Sequence, residues 1–152
     1  MNENILVIKL GALGDFVQAA APFAAIRAHH HRSFITLLTT LPFAEFAAKS
    51  LWFDDVWVDQ RPKFYNISGW LGLRSRLRGA GFSRVYDLQT SSRSGGYFRL
   101  FWPDQTPDWS GVARGCTLPH ANPERNFMHT IERQAEQLSM AGLTASANPD
   151  FS

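Results

Sequence analysis

Ile5-Leu6-Val7-Ile8-Lys9-Leu10-Gly11-Ala12-Leu13-Gly14-Asp15 is the stretch that decides the fold. An unbroken run of aliphatic residues, Ile5 to Ile8, suits a strand buried on both faces, as in a parallel sheet. Past Asp15 the chain turns Ala-rich, and Phe16, Ala19, Ala20, Phe23 and Ile26 fall at helical spacing up to Ala28. Strand, glycine turn and helix in that order open a βαβ unit. Gly11 and Gly14 permit a tight turn and a close approach of ligand to backbone. The helix that follows points free N–H groups and the positive end of its dipole into that space.

The spacing Gly-x-x-Gly-Asp excludes two familiar glycine motifs. Leu13 stands where the dinucleotide fingerprint needs its second glycine, and Asp15 stands where a P-loop needs lysine. An acid at the mouth of a phosphate cradle repels phosphate. Two roles for Asp15 stay open on local sequence: a base facing a substrate hydroxyl, or a residue capping the helix start.

Working outward, 152 residues make one domain large enough for a substantial core. With 45% hydrophobic and 18% charged residues the chain reads as globular rather than disordered. Met1 leads into polar residues and a strand, so no signal peptide is expected, and no apolar run reaches membrane-spanning length. Cys116 is the one cysteine, which excludes an internal disulfide and fits a reducing compartment. Apart from Lys9, Lys49 and Lys63, the 15 basic residues are all arginine. Arginine suits bidentate grip on phosphate or carboxylate. Several cluster between Arg74 and Arg99, without the aromatic spacing of a nucleic-acid module. An anionic small molecule or phosphorylated glycolipid fits better, and no nucleic-acid partner is expected.

Further along, His29-His30-His31-Arg32 reads as a polar cap, because neighbours on a helix cannot share one metal ion. Strands are expected at Phe34–Thr39 and Asp54–Val58, with a short helix from Phe43 to Ser50 led by Pro42. Asp59 to Ser68 reads as a connection over a site. A helix bearing Trp70, Leu71, Leu73 and Leu77 follows and ends at Gly79-Ala80-Gly81. Val85–Leu88 reads as the fourth strand and Gln89–Gly96 as its loop, where Ser91 or Ser92 can also cap a helix start, with an apolar helix closing at Phe98 to Trp102. Trp109–Val112 reads as a further strand, and Asn126 to Ala141 as the last helix, capped by Gly142. In an open parallel sheet ligands sit beyond the carboxyl ends of the strands. That rule brings Gln89–Gly96 to the same edge as Gly11–Asp15.

Three segments together resemble a known family. Lys9 to Pro22, K-L-G-A-L-G-D-F-V-Q-A-A-A-P, is similar to the opening of glycosyltransferase family 9, the ADP-heptose:lipopolysaccharide heptosyltransferases and their relatives. Val85-Tyr86-Asp87-Leu88-Gln89 with Ser92-Arg93-Ser94, and His129 to Leu143, follow in the same order. The resemblance implies an α/β, Rossmann-like three-layer α/β/α domain with a mostly parallel sheet, the N-terminal half of a GT-B glycosyltransferase. It makes residues 1–152 the acceptor-binding domain and leaves the donor-binding C-terminal domain absent from this chain. The implied activity is metal- and cofactor-independent inverting transfer of a heptose or related sugar, with Asp15 as catalytic base. Lys9, Gly14, Asp87, Gln89 and Arg93 are the implied acceptor-binding residues, with Arg93 meeting phosphate on the acceptor sugar. Implied partners are a nucleotide sugar such as ADP-heptose, expected in the absent domain, and a phosphorylated lipid A-core acceptor. The lipid acceptor in turn implies a cytoplasmic protein with peripheral contact at the inner membrane, and the isolated domain is expected to be inactive. Thr90-Ser91 departs from the Gly-Asn or Gly-Leu common in the family, so acceptor identity stays open. The competing reading is a non-catalytic module for an anionic sugar or nucleotide. A nucleotide-binding oxidoreductase half is disfavoured by the missing dinucleotide fingerprint.

Overall fold

The structure, a computed structural model, describes residues 3–11, 20–59, 63, 65–101, 106–113, 115–120 and 130–143, with the side chains of residues 92 and 130–133 outside that description. Its strands are β1 (Asn4–Ile8), β2 (Phe34–Thr39), β3 (Asp55–Val58), β4 (Arg84–Asp87), β5 (Asp108–Gly111) and β6 (Leu118–Pro119). Its helices are α1 (Ala20–His29), α2 (Leu41–Lys49), α3 (Ile67–Gly79), α4 (Ser92–Arg99) and α5 (Thr130–Met140). All six strands pair in parallel in the order β3-β2-β1-β4-β5-β6. This is the doubly wound arrangement, with its reversal of direction between β1 and β4. The sheet is thus wholly parallel among the described strands.

The aliphatic run of β1 explains the three layers. Ile5 and Val7 face one way, into a core with Phe23 and Ile26 of α1, Ala47 of α2 and Leu138 of α5. Leu6 and Ile8 face the other way, onto Leu77 of α3 and Tyr97 and Phe98 of α4. Residues 5–8 of β1 are fully buried, which only a strand covered on both faces allows.

Several elements differ from the sequence reading. Helix α4 begins at Ser92, so Arg93, Ser94, Gly95 and Gly96 are helical rather than loop. The Ser91 hydroxyl accepts from the Ser94 amide at 3.2 Å while the Ser94 hydroxyl accepts from the Ser91 amide at 2.9 Å. This reciprocal cap starts the helix despite two glycines that each disfavour it by about 1 kcal/mol. Strand β6 was not anticipated, and Leu71 of α3 is exposed rather than facing the core. His30 is buried, its Nε2 2.6 Å from the Tyr86 hydroxyl, rather than part of a solvated cap. Burial, with His29, Arg84 and Arg27 nearby, lowers its pKa to about 4. The start of the first expected helix, residues 16–19, and residues 126–129 of the last lie outside the described residues.

Candidate functional site

The register pairs Ile8 with Asp87, so the turns that leave β1 and β4 start side by side at the switch point. The backbone of Leu10 is clamped from both neighbours. Its amide donates to Gln89 Oε1 at 2.9 Å, and its carbonyl accepts from the Thr40 hydroxyl at 2.7 Å. Gly11 follows with φ +142°, a value that favours glycine. A Cβ there would also stand 3.1 Å from Phe43 Cε2. The chain therefore leaves β1 at Leu10 and Gly11 through a tightly constrained backbone.

Asp87 organises the other turn from inside. Its side chain is wholly buried, and Oδ1 accepts from the amides of Gln89 at 3.1 Å and Thr90 at 2.9 Å. Those bonds hold Thr90 at φ +48°, an uncommon conformation for a residue with a β-branch. Burial raises the Asp87 pKa to about 6, against the opposing pull of the Thr90 amide, the Ser94 hydroxyl, the Gln89 amide and Lys9. Among the described residues, Oδ2 has no hydrogen-bond partner of normal geometry. Asp87 also lies against β5, where a Cβ added to Gly111 would meet its Cβ at 3.1 Å. From the opposite face, Gln137 of α5 donates to the Asp87 carbonyl at 2.9 Å and the Ser110 carbonyl at 3.2 Å.

Arg93 occupies the first turn of α4, half-buried, on the side facing α3 and the end of β3. Its guanidinium lies 5.6 Å from the centre of the Trp70 ring and donates to the Tyr97 hydroxyl at 3.4 Å. No carboxylate pairs with it among the described residues. The Tyr97 hydroxyl in turn donates to Asp59 Oδ2, at the end of β3. Clefts flank this corner. One of about 290 Å³ runs from Asp59 along α3 past Gly69, Gly72 and Arg76. Another of about 390 Å³ lies toward β5, walled by Thr90, Ser91, Gly95, Gly96 and Arg99 with Val112 and Ala113.

Among the expected site residues, then, Lys9, Asp87, Gln89 and Arg93 converge on the carboxyl edge around the β1–β4 switch. Lys9 is buried and contributes an electrostatic pull on Asp87. Asp87 and Gln89 shape the two turns from within, whereas Arg93 packs against Trp70 and Tyr97 on the α3 side. Gly14, Asp15 and His129 lie outside the described residues. Sequence reasoning missed Asp59, Trp70 and Tyr97 as neighbours of Arg93. The Arg93-to-Tyr97 step of four residues is a helical signal, visible once α4 is known to start at Ser92. Burial raises the Cys116 pKa, which leaves a thiol of low reactivity. Among the described residues, no group of His, Cys, Asp or Glu is placed to hold a metal ion, and no helix is long and apolar enough to cross a membrane.

No protein-family model and no curated protein matches the chain. Solved structures do. A family 9 glycosyltransferase from Veillonella parvula DSM 2008 superposes with TM-score 0.76 at 19% identity, over 97% of this chain and 43% of that one. E. coli heptosyltransferase WaaC, solved with ADP-2-deoxy-2-fluoro heptose, gives TM-score 0.66 at 14% identity, over 98% of this chain and 50% of that one. E. coli ADP-heptose LPS heptosyltransferase II gives 0.68 at 17%, over 90% and 40%. The chain thus spans no more than half the length of these structures. At such identities the likeness establishes the fold: this chain has an α/β Rossmann-like fold that matches part of the glycosyltransferases of family 9, heptosyltransferases among them.

Proposed function

We propose that the chain is the acceptor-binding half of an inverting glycosyltransferase that moves a heptose or related sugar from a nucleotide sugar to a phosphorylated lipopolysaccharide-core acceptor. The observation that carries this reading is Arg93. It is a half-buried guanidinium with no carboxylate partner among the described residues, set in the first turn of a helix at the switch-point edge. Backbone N–H groups at that helix start add to its pull on an anion. A phosphate on the acceptor sugar meets Arg93, and the acceptor then lies toward the turn after β1. The fold likeness to glycosyltransferases supports sugar transfer as the chemistry.

In the proposed reaction Asp15, four residues past Gly11, takes the proton of the acceptor hydroxyl. The freed oxygen attacks the anomeric carbon of the donor, the bond from that carbon to the diphosphate oxygen breaks, and the nucleoside diphosphate departs with inversion. The acid needs hydrogen-bond reach to that hydroxyl and must stay ionised, which a helix N-terminus favours. Asp15 is assigned by its place in the sequence. The donor is expected to bind mainly outside this chain, and the acceptor's lipid brings peripheral contact with the cytoplasmic face of the inner membrane.

Ligand binding to the 152-residue chain separates this reading from its competitors. A phosphorylated Kdo or heptose sugar should bind saturably and raise the Tm; a response to NAD alone would support an oxidoreductase half and overturn the transferase reading.

A further inference from the structure

The Arg93 guanidinium is oriented by a chain of contacts that starts at a buried carboxylate on a different strand end. Tyr97 is fully buried and Asp59 nearly so. A tyrosine hydroxyl has one proton, and Tyr97 gives it to Asp59 Oδ2. Its oxygen is thereby left as an acceptor, and Arg93 Nη1 donates to it at 3.4 Å. Trp70 covers the guanidinium from the α3 side and lies 5.9 Å, ring centre to ring centre, from Tyr97. The Trp70 ring is itself tethered, its Nε1 donating to the Lys63 carbonyl at 3.0 Å. Asp59 thus acts on Arg93 through a hydroxyl, with no direct ion pair between the two among the described residues. A direct pair would neutralise the guanidinium and compete with an incoming anion. The intervening tyrosine fixes its position and leaves most of its donors unspent.

We infer that Asp59 and Tyr97 are positioning residues that hold Arg93, against Trp70, in the geometry that receives a phosphate group. This rests on the acceptor-binding reading above and names the residues that make Arg93 competent. Tyr97 is kept a phenol rather than a phenolate, since burial raises its pKa. Asp59 also walls the cleft along α3. The same carboxylate therefore borders that cleft and sets Arg93.

The test is titration of the folded 152-residue chain with a sugar monophosphate, using the unphosphorylated sugar as control. Tyr97→Phe should weaken sugar monophosphate binding by about three- to tenfold, the effect of losing one hydrogen bond, and leave any binding of the neutral sugar unchanged. Asp59→Asn keeps an acceptor for the hydroxyl and should retain affinity within about twofold. Asp59→Ala frees the hydroxyl and should match Tyr97→Phe. That rescue by asparagine is what a merely structural role would not produce. Should Tyr97→Phe fail to fold, the Asp59 pair decides. Wild-type binding with Tyr97→Phe or Asp59→Ala unaffected overturns the positioning inference alone. Absence of sugar monophosphate binding by the wild-type chain overturns the acceptor-binding reading and the inference with it.

Discussion

Replacing Asp87 with asparagine isolates the most unusual electrostatic feature of the site. The carboxyl titrates at about 6 in the fold against a reference of 3.8. A raised acid pKa contributes stability that is complete below the unfolded value and is lost as pH rises through the folded one. Over pH 4 to 8 the wild-type chain should therefore lose about 2–3 kcal/mol at this residue, taking ~1.36 kcal/mol per pH unit. The Asp87→Asn amide preserves the geometry, since its carbonyl oxygen can take the Gln89 and Thr90 amides. Its nitrogen falls where, among the described residues, Oδ2 has no partner of normal geometry. His30 works in the opposite direction, being lowered to about 4 and so destabilising the fold as pH falls from 6.5. That effect is common to both proteins and cancels in their difference. Urea unfolding of both chains at pH 4 and pH 8 is the assay. The stability of Asp87→Asn relative to wild type should rise by about 2–3 kcal/mol between those pH values. A difference that stays constant, or moves the other way, would refute the claim that burial dominates at Asp87.

Two other perturbations address the turn after β1. Gly11→Ala should lower stability by roughly 1–3 kcal/mol, from the left-handed φ and the contact with Phe43; a Tm equal to wild type would show that the turn relaxes freely. If the proposed transfer reaction holds, Asp15→Asn in a transfer-competent full-length enzyme should cut turnover by about 10²–10⁴ with little change in acceptor affinity, the usual contribution of a general base. A near-wild-type rate would return Asp15 to helix capping.

How much was legible before the fold was known depended on the range of the forces involved. Residues 5–8 announce a doubly buried strand because both alternating sets are aliphatic, and that alone implied helices on both faces. Gly11 could be read as a turn because its positive φ is a backbone property carried by one residue. Strand β6 could not be read, because a two-residue Leu-Pro segment has no periodicity. The start of α4 was obscured by Gly95-Gly96, whose low helix propensity is overridden by the Ser91–Ser94 cap. His30 looked polar among its neighbours, yet its partner Tyr86 is 56 residues away, a tertiary fact that local pattern cannot hold. The same applies to Asp59 and Tyr97, 38 residues apart. The strand-end rule put the segment after β4 at this edge, and the family resemblance named Asp87 and Gln89 as acceptor-binding residues. That they act on the backbone of the turns, rather than facing solvent, emerges only from the packing of β1, β4 and α4.

The most direct test of the account is calorimetric titration of the chain and its Arg93→Ala variant with a phosphorylated Kdo or heptose sugar at low and moderate salt. Saturable binding to the wild type that weakens with salt is expected, with a loss of roughly tenfold or more in Arg93→Ala, as for a charge-assisted bond to phosphate. Equal affinities for the two proteins, or no binding by either, would contradict it.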